Sequence, residues 1–187
     1  DMLVDKNEYQ ENNKSLKEVA NELSAKVGEK IDLRRIEVLM NGVNSVSYYL
    51  HGGKIGAAVT FDGSDGEAAR DIAMHIAATS PAALDESKIP SDLLERERNV
   101  YLGQAENSGK PAEIVEKMVA GKLNKFIKEN TLIGQMFVKN QDQTVGDFAQ
   151  SKDLKLVSFI RMAVGDGIEK KAEDFAEEVA KQVGKKN

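Results

Sequence analysis

The chain has 187 residues, 41% hydrophobic and 30% charged, so it can bury one core, alone or with a smaller appended module. Its net charge of -5 and pI of about 5.2 lack the basic footprint of a general nucleic-acid binder. It contains no Cys, which excludes disulfides, thiolate nucleophiles and sulfur-ligated metal sites, and its sequence shows no apolar run of membrane-spanning length.

The N-terminal region predicts a polar lead-in followed by a helix. Residues 1–13 are polar and aperiodic, as expected of a linker or a frayed start. Ser15 and Glu18 have the spacing of a capping box, and Gly28 is placed to end the helix in a left-handed conformation. The apolar face between them consists of Leu16, Val19, Ala20, Leu23 and Val27.

The next stretch predicts a meander of about three antiparallel strands. Apolar and polar residues alternate over residues 36–40 and 55–61, and residues 43–50 are rich in Val and Tyr. Asn41-Gly42 is a strong signal for a two-residue hairpin turn, and His51-Gly52-Gly53 predicts a second turn.

A helix is expected after the loop at residues 62–66. The loop superficially resembles a calcium-binding loop, but Ala73 occupies the position that requires a bidentate Glu. Ser64 and Glu67 predict a capping box instead. Small residues let the helix lie close on a sheet, His75 is expected to be a packed side chain rather than a ligand, and Pro81 ends the helix.

Two charged, amphipathic segments then predict an antiparallel helical hairpin. The first covers residues 89–107, the turn is at Ser108-Gly109, and Pro111 suits the first position of the second helix. Residues at helical spacing along one face of this second helix are Val115, Met118, Val119, Lys122, Leu123 and Phe126. The pattern leaves open whether the hairpin projects from the body or packs as an ordinary helix pair.

The remainder predicts a return to the sheet. Residues 130–143 read as irregular or extended, Thr144 caps a short helix, and residues 156–164 alternate as a late strand. A last amphipathic helix carries Ala172, Phe175, Ala176, Val179, Ala180 and Val183.

The predicted fold class is α+β, with helices packed on one face of a small antiparallel sheet and a protruding antiparallel helical hairpin, a coiled coil. The expected organisation has four parts. They are a linker or disordered start at residues 1–13, a core at 14–88, the helical hairpin at 89–130, and a return to the core at 131–187.

The sequence lacks the motifs that indicate phosphate binding, dinucleotide binding or nucleophilic catalysis. Neither the phosphate-binding G-x-x-x-x-G-K-[ST] pattern nor a G-x-G-x-x-G turn occurs. Only two His are present, His51 in an exposed turn and His75 in a helix, and no Ser lies in a nucleophile elbow. We therefore expect no cofactor, no metal and no catalytic residues.

Six strings occurring in order resemble the translation elongation factor Ts family over roughly residues 14–183. They are residues 31–37 (IDLRRIE), 51–56 (HGGKIG), 72–78 (IAMHIAA), 108–111 (SGKP), 116–119 (EKMV) and 164–170 (VGDGIEK). The resemblance implies guanine-nucleotide exchange on the GTPase elongation factor Tu by protein–protein binding, without enzyme chemistry. It also favours a projecting hairpin, used for dimerisation, and a bacterial cytoplasmic location, with plastid or mitochondrion as the alternative.

By the same resemblance, the contact with the GTPase is expected at His51, Gly52 and Lys54, with a second contact at Ile168, Glu169 and Lys170. The family's N-terminal helical domain and its Thr-Asp-Phe motif do not occur in this sequence. The chain therefore resembles the C-terminal portion of the factor. Leu50 departs from the polar residue usual before the His.

Three alternatives remain at this point. The chain could bind elongation factor Tu without releasing nucleotide, or it could be a self-association module that uses the hairpin. An enzyme with His51 as a base ranks far lower. Neither a membrane nor a nucleic acid is an expected partner.

Overall fold

The computed structural model describes residues 10–11, 14–37, 39, 45–106 and 109–167. Contacts divide the chain into two units, Asp1–Asn41 and Gly42–Asn187. Within the described ranges, no helix has both the length and the apolar character needed to cross a bilayer.

The first unit contains a short strand pair and one helix. Strands β1 (Gln10–Glu11) and β2 (Lys14–Ser15) pair antiparallel and lead into α1 (Leu16–Val27). The predicted capping box is confirmed, because Ser15 Oγ accepts from the Glu18 N–H at 3.3 Å and the Glu18 carboxylate accepts from the Ser15 N–H at 2.7 Å. Gly28 ends the helix with φ 77°.

The strand predicted over residues 36–40 is wrong where the structure describes it. Ile36, Glu37 and Leu39 belong to no strand, while Val38, Met40 and the Asn41-Gly42 turn lie outside the described residues. Alternation predicts only an extended, half-buried segment. Whether such a segment pairs depends on which neighbour the rest of the fold brings to it.

The second unit is built on a three-stranded antiparallel sheet. Its strands are β3 (Ser45–His51), β4 (Ile55–Asp62) and β7 (Lys155–Ala163), with β4 in the centre. The late strand therefore joins the sheet as expected. A register shift between Thr60 and Phe61 marks a bulge against β7.

Helix α2 (Gly66–Thr79) covers one face of this sheet, as the predicted fold class requires. The main buried cluster joins its small and branched residues to the inward side chains of β4 and to residues that follow the helical hairpin. These include Val59, Phe61, Ala69, Ile72, Ala73, Ile76, Leu132, Phe137 and Val145. Small residues on the helix permit this close approach to the sheet.

The helix start differs from the prediction by one residue. Asp65, not Ser64, is the N-cap, and its Oδ1 accepts from the Ala68 N–H at 2.9 Å. Both residue types cap helices, so spacing alone could not choose between them. The chain's path out of β4, through Gly63 at φ 133°, places Asp65 at the cap position.

The helical hairpin consists of α3 (Ser91–Glu106) and α4 (Ala112–Asn130), and it has a buried cluster of its own, Ala105, Val115 and Val119. Tyr101 and Leu102 pack against that cluster, whereas Val100 is 51% exposed. Pro111 is the N-cap rather than the first helical residue.

Backbone hydrogen bonds join the two ends of the hairpin at its base. The Ala82 N–H donates to the Asn130 carbonyl and the Leu132 N–H to the Ala83 carbonyl, each at 2.8 Å. Leu132 belongs to the main cluster, so the hairpin begins and ends against the core.

The stretch predicted as irregular after the hairpin contains a small strand pair. Strands β5 (Met136–Phe137) and β6 (Asn140–Thr144) pair antiparallel, followed by α5 (Val145–Ser151). Thr144 caps α5 as predicted, accepting from the Asp147 N–H at 3.1 Å. Residues 140–143 are Asn, Gln, Asp and Gln, types with low strand propensity, which explains why pattern reading missed β6.

Candidate functional site

The turn at residues 51–54 lies at one end of the sheet, where it connects β3 to β4. His51 pairs with Ile55 across the strands, and the Lys54 N–H donates to the His51 carbonyl at 3.0 Å. Gly52 and Gly53 have φ of 56° and 67°. Positive φ at both central positions is the property of a type I′ turn, which suits the twist of paired strands and favours glycine.

The side chain of His51 is exposed but held from one side. Tyr49, two residues earlier on the same face of β3, places its hydroxyl 3.2 Å from His51 Nδ1. Tyr49 is half-buried and packs against the main core, so the core supports the ring that positions the imidazole. When the Tyr49 hydroxyl donates, the imidazole proton lies on Nε2.

The end of β7 lies beside this turn. The Val164 N–H donates to the Lys54 carbonyl at 2.8 Å. Asp166 orders the turn that follows, because its Oδ2 accepts from the Ala163 N–H at 2.9 Å and lies 3.7 Å from Arg161 Nη1. We call residues 51–54 together with 163–167 the tip surface.

The structure thus brings together His51, Gly52 and Lys54, all exposed on the tip surface. The other predicted contact residues, Ile168, Glu169 and Lys170, lie outside the described residues. The sequence reading missed Tyr49 and Asp166. The signal for Tyr49 was available, since residues i and i+2 of a strand share a face.

A separate cleft of about 790 Å³ lies between α4 and the β5–β6 pair. Its walls include Lys125, Lys128, Gln135 and Met136. The Gln135 side chain is already hydrogen-bonded within the fold. Its Oε1 accepts from the Thr79 hydroxyl and lies 2.9 Å from His75 Nε2. The predicted contact residues His51 and Lys54 do not line this cleft.

The tip surface offers a backbone turn, an imidazole and an ammonium group on an open surface. Such groups can bind another macromolecule through hydrogen bonds and charge. Across the described ranges, no cluster of three or more His, Asp or Glu side chains is arranged to hold a metal ion.

The fold and this site define an α+β protein that presents an exposed turn at the end of its sheet, a geometry suited to contact with another macromolecule. A sequence profile of the family Elongation factor TS matches residues 3–166. The chain belongs to the elongation factor Ts family.

Curated relatives agree with this assignment. The chain is 48% identical over 169 residues to elongation factor Ts of Thioalkalivibrio sulfidiphilus, a match that covers 90% of this chain and 58% of the relative. It is 49% identical to the Methylococcus capsulatus protein over 166 residues, with 89% and 57% covered. For the Pediococcus pentosaceus protein the identity is 51% over 160 residues, with 84% and 55% covered. The matches thus span somewhat more than half the length of these relatives.

Proposed function

We propose that this chain promotes release of guanine nucleotide from elongation factor Tu by binding the nucleotide-free GTPase more tightly than the nucleotide-bound form. Thermodynamic linkage then weakens nucleotide binding by the factor by which nucleotide weakens the complex. Family membership over residues 3–166 is the observation that carries the proposal. The setting we propose is the bacterial cytoplasm, since the relatives quoted above are bacterial.

The tip surface is the proposed contact with the GTPase. The turn is stiffened by the bond between Lys54 N–H and the His51 carbonyl, and by the β7 bond to the Lys54 carbonyl. A stiff turn loses little conformational entropy on binding. His51 supplies a directional hydrogen-bonding group and Lys54 a flexible positive charge, while Gly52 lets a partner approach the backbone. We extend the proposed contact to Ile168, Glu169 and Lys170.

Loss of fluorescent GDP from purified elongation factor Tu tests the function. We expect the full chain to accelerate release above the intrinsic rate. His51→Ala should weaken binding about tenfold, as expected for a partly exposed interface residue. Lys54→Ala should weaken it less and lower its salt sensitivity.

The matched control is Lys117→Ala, a lysine exposed on the helical hairpin. It should leave both binding and release unchanged. Wild-type release at the intrinsic rate with no measurable binding would overturn the proposed function. Unchanged affinity in His51→Ala would overturn the proposed contact alone.

A second candidate is a module that binds elongation factor Tu without releasing nucleotide. One observation favours it: no Thr-Asp-Phe string occurs in the sequence. Binding measured by titration, with GDP release still at the intrinsic rate, would establish this candidate instead.

A further inference from the structure

Tyr49 approaches the tip surface from the face of the sheet that α2 covers. It pairs with Ala57 across the strands, and directly paired residues of an antiparallel sheet lie on the same face. Ala57 is buried in the main cluster, and the Tyr49 ring packs against that cluster. Tyr48, its neighbour in sequence, lies on the opposite face and is 67% exposed. The core therefore fixes the ring of Tyr49 but not the ring of Tyr48.

The imidazole of His51 has one hydrogen-bond partner among the described residues, and that partner is Tyr49. Tyr49 Oη lies 3.2 Å from His51 Nδ1, and the two ring centroids are 6.1 Å apart. A neutral imidazole has one protonated nitrogen and one unprotonated nitrogen, which is its basic site. A phenol hydroxyl is a better donor than acceptor, so the favoured bond runs from the Tyr49 hydroxyl to Nδ1. The bond made at one ring nitrogen decides the tautomer, and the proton of His51 then lies on Nε2.

We propose that Tyr49 is a positioning residue for His51, which fixes the imidazole so that its Nε2–H donates a hydrogen bond to an acceptor oxygen on the GTPase. This inference rests on the proposed contact at the tip surface and names the chemistry of the group that the contact meets. His51 is exposed, and Nε2 lies across the ring from the nitrogen that Tyr49 holds. Lys54 in the same turn adds an ammonium group, which only donates. Two donors in one turn are complementary to carbonyl or carboxylate oxygens on the partner.

The advantage of this arrangement is a smaller loss of conformational freedom on binding. An exposed histidine samples several rotamers and two tautomers, and ordering such a side chain costs free energy when a complex forms. The bond to Tyr49 orders the ring and selects the tautomer before the partner binds. Loss of one such hydrogen bond should weaken the complex about three- to tenfold.

Nitrogen NMR of the full chain, without any partner, tests the bond between the two rings. The sequence has only two histidines, so ¹⁵N-histidine labelling gives two imidazoles, and the spectrum of His51→Ala identifies each. At a pH of about 8, where an ordinary histidine is neutral, we expect the His51 proton on Nε2. In Tyr49→Phe, the Nδ1 signal should move to that of a nitrogen without a hydrogen bond, while the His75 signals stay in place. A wild-type His51 protonated at Nδ1, or an unchanged His51 spectrum in Tyr49→Phe, would overturn the proposal.

Titration with purified elongation factor Tu tests the effect on binding. Tyr49→Phe keeps the packed ring and removes only the hydroxyl. Its unfolding midpoint should stay near wild type, while the dissociation constant rises about three- to tenfold. In a His51→Ala background the same substitution should have no further effect, because Tyr49 acts through His51.

Tyr48→Phe is the matched control, since it removes the same hydroxyl on the opposite face of the same strand. It should bind like the wild type. Equal weakening by Tyr49→Phe with and without His51 would overturn the positioning role, and so would equal weakening by Tyr48→Phe and Tyr49→Phe.

Two further variants test the chemistry of the group on the GTPase. His51→Gln places an amide N–H near the position of Nε2, whereas His51→Glu has a similar shape and offers only acceptor oxygens. His51→Gln should bind more tightly than His51→Ala, and His51→Glu more weakly. Tighter binding by His51→Glu than by His51→Gln would rule out the acceptor oxygen. Absence of wild-type binding would overturn the proposed function and this inference with it, and the NMR spectra distinguish that outcome from a missing bond between Tyr49 and His51.

Discussion

The imidazole of His75 is wholly buried, and both of its ring nitrogens have hydrogen-bond partners. Nδ1 accepts from the Val138 N–H at 3.2 Å, so Nε2 carries the proton and donates to Gln135 Oε1 at 2.9 Å. Gln135 in turn donates from Nε2 to the Glu129 carbonyl at the end of α4. One neutral histidine thus connects α2, the β5–β6 pair and the base of the helical hairpin.

Burial lowers the pKa of His75 below its usual value near 6.5, and the bond to Gln135 offsets part of that effect. An unfolded chain therefore takes up this proton at a higher pH than the folded chain does. The stabilisation is complete above pH of about 6.5 and is lost as the pH falls through the folded-state pKa. We expect the urea midpoint to fall between pH 7 and about 5.

His75→Leu should remove that contribution to the pH dependence. It should also lower the free energy of unfolding at pH 7.5 by about 1 to 3 kcal/mol, since the Val138 N–H loses its acceptor. Urea titration at several pH values measures both effects. A His75→Leu chain with the wild-type pH dependence would contradict this account.

The start of α2 gives a prediction at the scale of one element. Because Asp65 caps the helix, Asp65→Ala should lower the free energy of unfolding by about 0.5 to 2 kcal/mol. Ser64→Ala, one residue earlier, should change it by less than about 0.5 kcal/mol. Thermal unfolding monitored by circular dichroism distinguishes the two variants. The reverse ranking would assign the cap to Ser64.

Gly121, in the middle of α4, and Gly134, shortly after that helix, should respond to substitution in opposite directions. A Cβ at Gly134 would lie 2.7 Å from Thr131 Oγ1 and 2.8 Å from the Lys128 carbonyl oxygen, so Gly134→Ala should destabilise by about 1 to 3 kcal/mol. Gly121 lies within α4, and an added Cβ there meets nothing within 4 Å. Gly121→Ala should therefore stabilise by about 0.5 to 1 kcal/mol. Chemical denaturation of the two variants, compared with the wild type, measures the sign of each change in the free energy of unfolding.

Within the second unit, the helical hairpin and the sheet belong to two different clusters of buried side chains. The hairpin cluster of Ala105, Val115 and Val119 shares no member with the main cluster. Separate clusters allow local opening of one without the other. The hairpin should therefore exchange its amide protons faster than the core does.

Val119→Ala should increase hydrogen exchange within α3 and α4 while leaving β4 and α2 protected. Ile76→Ala, at a wholly buried core position, should cost about 2 to 5 kcal/mol and increase exchange in the sheet. Hydrogen exchange followed by mass spectrometry resolves these segments. Equal loss of protection in both regions of the Val119→Ala chain would show that the two clusters unfold together.

Local features were predictable where short-range chemistry decides them. The Ser15–Glu18 box, the Gly28 end and the Thr144 cap each depend on a few adjacent residues, and each is confirmed. The turn at His51 was predictable for the same reason, because two glycines supply the positive φ it requires.

Long-range pairing was not predictable in the same way. Apolar and polar residues alternate around Ile36 as they do in a strand. The described residues of that stretch nevertheless belong to no strand. β7, some hundred residues from β4 in sequence, takes the free edge of that strand instead. Alternation encodes which residues face inward, whereas the choice of neighbour depends on the whole packing arrangement.

The sequence was therefore sufficient for the described helices, for the caps of α1 and α5, for the exposed His51 turn and for the family, because these follow from neighbouring residues or from ordered strings. Packing in three dimensions added what no local pattern holds. It set β7 beside the turn and buried His75 against Val138 and Gln135. It also left the side chains of Val46, Tyr48 and Leu50 on β3 exposed. Those features arise from contacts between residues far apart in the chain, whose free energy depends on all the elements folding together.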